Sequence, residues 1–259
     1  MVSTRLQNSA RLIYAIGLIC LSAIGFSMKD FIIGRPPACS PNMSWLFLSF
    51  NFMVFAGALG MISKSFGYYG SLVCGASIFL FSYVFKIIPE FTKGDFIAII
   101  NNGPAWKILT LSGGCLIIAN TFRNKNIFFQ AGLIAITCFF MWAGIAHFVY
   151  SSFVDTLIPD YIPFHRFWTY FCGVCLILAS IGLWIPGLRS LVAMLSSIMI
   201  FLWFLMLHIP RYLMHPTDKT ELMAVFESLI IAALMLIVCI HFSSKKSMDI
   251  KPLFILQTP

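Results

Sequence analysis

Charge is scarce in this chain. Only 10% of its 259 residues are Asp, Glu, Lys or Arg, against about a quarter in soluble domains, and that shortage excludes an ordinary water-soluble fold. Acids are the scarcer sign, 9 against 17 Lys and Arg, and no close carboxylate pair is present for acid–base work. No phosphate-binding Gly-rich loop, no H-E-x-x-H pair and no nucleophile elbow occurs, so the commonest nucleotide, zinc-protease and hydrolase signatures are absent. Loop cysteines are also lacking. Of eight cysteines, Cys20, Cys74, Cys115, Cys138, Cys172, Cys175 and Cys239 fall in apolar runs and only Cys39 in a loop, which leaves no basis for a disulfide framework.

What is present is apolar. Hydrophobic residues make up 60% of the chain and the mean hydropathy is +0.93. Windows near the roughly 20 residues a transmembrane helix needs run over 11–28, 44–63, 66–88, 105–121, 127–150, 166–185, 189–209 and 222–242. They predict an all-α membrane protein of eight spans. The first has Arg5 and Arg11 ahead of it, like a signal peptide, but no A-x-A-like site follows, so it is read as a span. With cytoplasmic termini, one side collects Arg5, Arg11, Lys64, Arg123, Lys125, Arg189, Lys245, Lys246 and Lys251 against Asp249 alone. That is the positive-inside pattern of a multi-pass inner-membrane protein. The net charge of +8 therefore points to the lipid bilayer as partner, with the basic tail on anionic lipid, and not to nucleic acid.

The halves repeat each other at a spacing of about 120 positions. Phe31, Pro37 and Pro41 match Phe153, Pro159 and Pro163. Trp45 matches Trp168, Ala56-Gly57 matches Ala179-Ser180, Ile88-Pro89 matches Ile209-Pro210, and Trp106-Lys107 matches Phe226-Glu227. Two parallel four-helix repeats are expected, 1–126 and 127–242, followed by a basic cytoplasmic tail, 243–259. The inner turns are short, whereas the outer connections Lys29 to Met43, Pro89 to Pro104, Ser151 to His165 and Pro210 to Glu221 are long and are the functional candidates. Pro89 and Pro210 are expected to end the third span of each repeat.

The polar residues of the second half gather at the outer side. His147, His165 and His208 flank a loop with Asp155, Asp160, Tyr161, Arg166 and Trp168. His147 and His208 read as pinning the loop, as polar contacts to a bound small molecule such as a quinone, or as ligands of a metal or haem iron. Asp155, Asp160 and Arg166 read as helix caps and solvated charges or as a proton relay or anion site, and Tyr161 and Trp168 as interface-belt aromatics or as a face for a planar ligand. Cys172 and Cys175 form a C-x-x-C that suits packing, or disulfide exchange beside a quinone. Lys107 and Glu227, the charges that enter spans at matching positions, are candidates for an intramembrane ion pair, with snorkelling as the alternative. Lys86 is expected to snorkel.

The second half, through Gly144-Ile145-Ala146-His147-Phe148, Phe153, Leu157-Ile158-Pro159, Tyr161-Ile162-Pro163, Phe167-Trp168, Tyr170, Gly173 and Ala179-Ser180-Ile181-Gly182, resembles the DoxX-like family of four-helix membrane proteins. The first half resembles the same module more weakly, through Arg11 to Ile16, Phe31-Ile32, Arg35-Pro36-Pro37 and Ala56-Gly57. The resemblance implies an accessory or quinone-interacting subunit of a membrane redox system, with a redox protein as partner and one site, in the second half. The first half has Gly25 and Ile87 where the second has His147 and His208. A non-catalytic scaffold or a carrier of lipophilic solutes is the competing expectation.

Overall fold

A computed structural model describes residues 2–29, 44–83, 88 and 103–255, and no strand occurs among them. Phe31, Pro37, Cys39, Pro41, Lys86 and Pro89 lie outside the described residues. The helices are α1 (Val2–Met28), α2 (Ser44–Ile62), α3 (Gly67–Ser82), α4 (Gly103–Arg123), α5 (Asn126–Val149), α6 (Ser151–Leu157), α7 (His165–Gly182) and α8 (Arg189–Trp203). A π-helical turn, Phe204–His208, joins α8 to α9 (Ile209–Met214), and α10 (Lys219–Ile255) ends the described chain.

Six helices among the described residues are long and apolar enough to cross a membrane: α1, α2, α4, α5, the continuous rod Arg189–Met214, and α10. These mark a membrane-embedded helical protein. Two of the eight expected spans are not in that count. The described part of the third, 66–88, is α3 with 16 residues, and positions 84–87 lie outside the described residues. α7 has 18 residues but opens on His165 and Arg166 and carries Thr169 and Tyr170 soon after.

Antiparallel neighbours follow from short connections. Between α4 and α5 only Asn124 and Lys125 intervene; Asn124 has φ 45°, a left-handed conformation that asparagine tolerates better than most residues. The arginines of this end are held by aromatic faces. Arg11 lies 4.4 Å from the centre of the Phe122 ring, Arg123 4.1 Å from that of Tyr68 and Arg189 5.3 Å from that of Phe242. The guanidinium stacks there while its apolar platform faces the helices. We call this the arginine end, and the opposite one the α6 end.

The long helices pack in a circuit, each against the next: α1 with α2, α2 with α3, α3 with α4, α4 with α5, α5 with α7, α8 with α10, and α10 back with α1. The seam between α7 and α8 is thin by comparison. Close seams rest on glycine, because without a solvent-driven term membrane helices gain from tight van der Waals approach. A Cβ on Gly70 would stand 2.6 Å from the Gly57 carbonyl oxygen, and one on Gly144 would stand 2.8 Å from that of Gly173. The core between the helices is built on Tyr14, Leu18, Phe47, Phe50, Phe129 and Phe140. The buried Tyr14 hydroxyl is satisfied by donating to the Leu111 carbonyl at 2.6 Å.

Pro210 does not end its helix, which is a correction to the sequence reading. The rod continues to Met214, passing the proline through the π-turn, where Ile209 N–H bonds back to the Phe204 carbonyl. Pro210 has no N–H to offer the Met206 carbonyl one turn earlier. Tyr161, from the loop before α7, supplies a hydroxyl donor to that carbonyl instead.

Candidate functional site

The connection expected as an outer loop, 151–165, begins with the short helix α6. After it, Ile162 N–H bonds to the Pro159 carbonyl at 2.9 Å, closing a turn that exposes Asp160 and Tyr161 and drops Ile158 and Ile162 inward, both about 5% exposed. Phe164 then takes φ 60°, an uncommon conformation for a bulky residue, and α7 starts at the next residue.

α6 covers a cavity of about 300 Å³. Phe139, Phe140, Ala143 and His147 of α5 form one wall, and Trp168, Thr169, Cys172 and Leu176 of α7 the next. Met199, Ile200 and Trp203 of α8, with Leu207 and His208 of the π-turn, form a third. Lys107 of α4 and Ala224, Glu227, Ser228 and Ile231 of α10 complete it, with Val154, Leu157 and Ile158 as cover. Such a space, mostly apolar with a few convergent polar groups, is the usual form of a small-molecule site.

Each polar group is positioned by an identifiable device. Gly144 and Gly173 let α5 and α7 touch, and a Cβ on Gly173 would stand 2.9 Å from the His147 Cβ. His147 Nδ1 pairs with the Ala143 carbonyl at 2.7 Å. A carbonyl only accepts, so Nδ1 carries the proton and Nε2 of the neutral ring keeps a lone pair. His208 sits on the π-turn, a feature frequent at functional sites. Lys107 Nζ donates to Glu227 Oε2 at 2.6 Å, the glutamate side chain 7% exposed and the lysine 32%. Trp203 Nε1 donates to Cys172 Sγ at 3.0 Å and meets Trp168 edge to face, ring centres 6.0 Å apart.

The structure thus brings His147, His208, Trp168, Cys172, Lys107 and Glu227 together. It does not bring the remaining candidates to the cavity. Asp155 Oδ2 pairs with Arg166 Nε at 3.0 Å and its Oδ1 accepts from Thr169 Oγ1 at 2.6 Å, while Arg166 Nη1 donates to Ser151 Oγ at 2.7 Å. These contacts fasten α6 to α7. Tyr161 serves Met206; His165 and Asp160 do not line the cavity, and Cys175 faces a separate groove. Both thiols of the C-x-x-C are free. Among the described residues no three His, Cys, Asp or Glu side chains gather as a metal site.

Arg211 is a residue the sequence reading missed. It grips Glu221 with Nε at 3.0 Å and Nη2 at 2.5 Å, and its Nη1 donates to the Leu157 carbonyl at 3.0 Å. It thereby ties the end of α6 to α9 and α10. The signal available beforehand was an Arg and a Glu ten positions apart across one short connection. Trp203 was also missed, since nothing in its apolar helix distinguishes it.

The fold and cavity define a class, helical membrane proteins with a small-molecule-sized pocket inside the bundle. A family of domains of unknown function, DUF8561, matches residues 136–221, a stretch that supplies every cavity residue except Lys107 and the four from α10. No curated protein and no solved structure matches the chain.

Proposed function

We propose that this is a polytopic inner-membrane protein whose cavity binds a lipophilic planar molecule of the quinone class, serving as an accessory subunit of a membrane redox system. The observation that carries the reading is the composition of the cavity. Phe139, Trp168 and Trp203 put aromatic rings on its wall beside the fully buried Phe140, and His147, His208 and the Lys107–Glu227 pair stand in the same space. The resemblance to DoxX-like proteins agrees with a redox setting. Interconversion of quinol and quinone moves two electrons and two protons; on this reading a redox partner protein exchanges the electrons and water exchanges the protons.

The His147 tautomer makes the proposal sharper. Neutral Nε2 accepts hydrogen bonds, so it suits the hydroxyl of a quinol rather than the carbonyl of a quinone. The packing circuit also supports a duplicated architecture of two four-helix modules, 1–126 and 127–242. Pairing α1 with α5, α2 with α7, α3 with α8 and α4 with α10 maps every close seam onto another except α2–α3, whose counterpart α7–α8 is thin. By the positive-inside rule, the arginine end and both termini are cytoplasmic. Position-by-position thiol labelling from each side of the membrane tests that orientation, and a periplasmic C-terminal tag reverses it.

The functional test is purification in mild detergent, solvent extraction and chromatography of bound lipid-soluble compounds, followed by titration with benzoquinol and benzoquinone. Retained quinone is expected, with the quinol bound more tightly and its advantage lost in His147→Phe. No retained quinone and no binding of either form sinks the proposal. A second reading, a carrier of lipophilic solutes without chemistry, is favoured by one observation: the charges Asp155, Arg166, Arg211 and Glu221 are committed to structural pairs. Equal binding of the two redox forms would select it.

A further inference from the structure

Beside the cavity beneath α6 lies a second space of about 470 Å³, a groove along the thin α7–α8 seam. Phe171, Leu178 and Ala179 line it from α7 and Leu195, Ile198 and Leu202 from α8, and no charged side chain reaches it. Trp168, Met199 and Trp203 line both spaces, so the tryptophan pair and Met199 form the wall the two share. The rod containing α8 is only 17% buried over its most apolar stretch, against 72% for α10, which leaves the groove open sideways to the surroundings of the bundle. From Val192 to Met206 the groove follows the rod of α8 and the π-turn for about 20 Å at roughly 1.5 Å per residue.

The two spaces divide the chemistry. All the charged groups and both histidines belong to the cavity, and none to the groove. One ligand that uses both has a compact polar head and a long hydrocarbon chain. We infer that the α7–α8 groove holds the hydrocarbon tail of the ligand whose head occupies the cavity, and that the head passes in from the bilayer when the Trp168 ring turns aside from Trp203. This rests on the quinone-class reading and specifies its substrate as tailed, membrane-resident molecules. The Cys172 sulfur fixes the Trp203 side of the doorway through the indole N–H. Since a tail leaving lipid for the groove gains no hydrophobic energy, the groove selects by route and shape, and the test must read position rather than affinity.

The full chain is reconstituted in phosphatidylcholine nanodiscs with a benzoquinone bearing a dodecyl chain that ends in a diazirine, irradiated, and mapped by peptide mass spectrometry. Adducts are expected on α7 and α8 groove residues, at least tenfold above those on exposed positions of α2 such as Phe52 and Leu59. Excess dodecylbenzoquinone without the diazirine should suppress them tenfold. Leu195→Trp, at an exposed position that tolerates bulk, should remove the groove adducts while tailless dimethoxybenzoquinone still binds the cavity. Adducts spread evenly over the bundle, or groove adducts that persist under competition, overturn the inference and leave head binding standing. So does equal, competitor-insensitive labelling by a phosphatidylcholine carrying the diazirine on its acyl chain, which would make the groove a seat for bulk lipid. Failure of both tailed and tailless probes to bind overturns the quinone-class reading and this one with it.

Discussion

Removing either member of the Lys107–Glu227 pair should destabilise the protein unequally. At 2.6 Å and an effective dielectric of about 20, the attraction is about 6 kcal/mol before desolvation is subtracted. Lys107→Met strands a carboxylate whose side chain is 7% exposed, and losing one partner of a buried pair costs about 3 kcal/mol, or about 6–12 °C in Tm for a chain of this size. Glu227→Gln leaves an ammonium that is 32% exposed and keeps an amide oxygen to accept from it, so the loss should be about 1 kcal/mol. The double variant contains neither ion and should lie within about 1 kcal/mol of the parent. Thermal unfolding of the four proteins in one detergent reads all three quantities. Equal losses from the single variants, or a double variant equal to their sum, would refute the reasoning.

The Tyr161 hydroxyl stands in for the N–H that Pro210 lacks, so Tyr161→Phe should cost about 1 kcal/mol and much less once Pro210→Ala has restored a backbone donor. Additive losses in thermal unfolding would disprove that coupling. Gly144→Ala puts a methyl 2.6 Å from Ile177 Cγ1 and 2.8 Å from the Gly173 carbonyl oxygen, and this overpacking should cost about 1–3 kcal/mol and weaken quinol binding by moving His147. Unchanged binding would show that the α5–α7 seam does not set the histidine. Cys172 lines the cavity and Cys175 the groove, so mild oxidation should not link them; an intramolecular disulfide found by differential alkylation and mass spectrometry counts against this placement. Arg211→Leu frees the Leu157 carbonyl and strands Glu221, whose side chain is 11% exposed. It should cost about 3 kcal/mol and increase hydrogen exchange in α6, and unaltered exchange there would contradict the tie.

Composition and hydropathy made the helical, membrane-embedded character legible, because a lipid environment demands the same apolar residues all along a span. Lys107 and Glu227 also stood out, since a charge inside an apolar window is conspicuous. The passage of the helix through Pro210 was not legible: proline is a local stop signal, and the donor that relieves it comes from Tyr161, 45 positions earlier. Asp155 and Arg166 looked like site residues because charges in a loop look alike whether they meet a ligand or each other. α6 was hidden by the prolines that follow it, and the cavity itself by the fact that Met199, Trp203 and Leu176 read as ordinary packing residues until α7 and α8 part.

The fastening of α6 has a consequence for exchange rates. Its first residue is held by Arg166 through Ser151, its middle by Asp155 to Arg166 and Thr169, and its last carbonyl by Arg211. A segment tied at three points does not swing open alone, so α6 is not the part that moves to admit a ligand. On the proposed reading, a dissolved redox dye should therefore equilibrate with a molecule in the cavity more slowly than a membrane-soluble one.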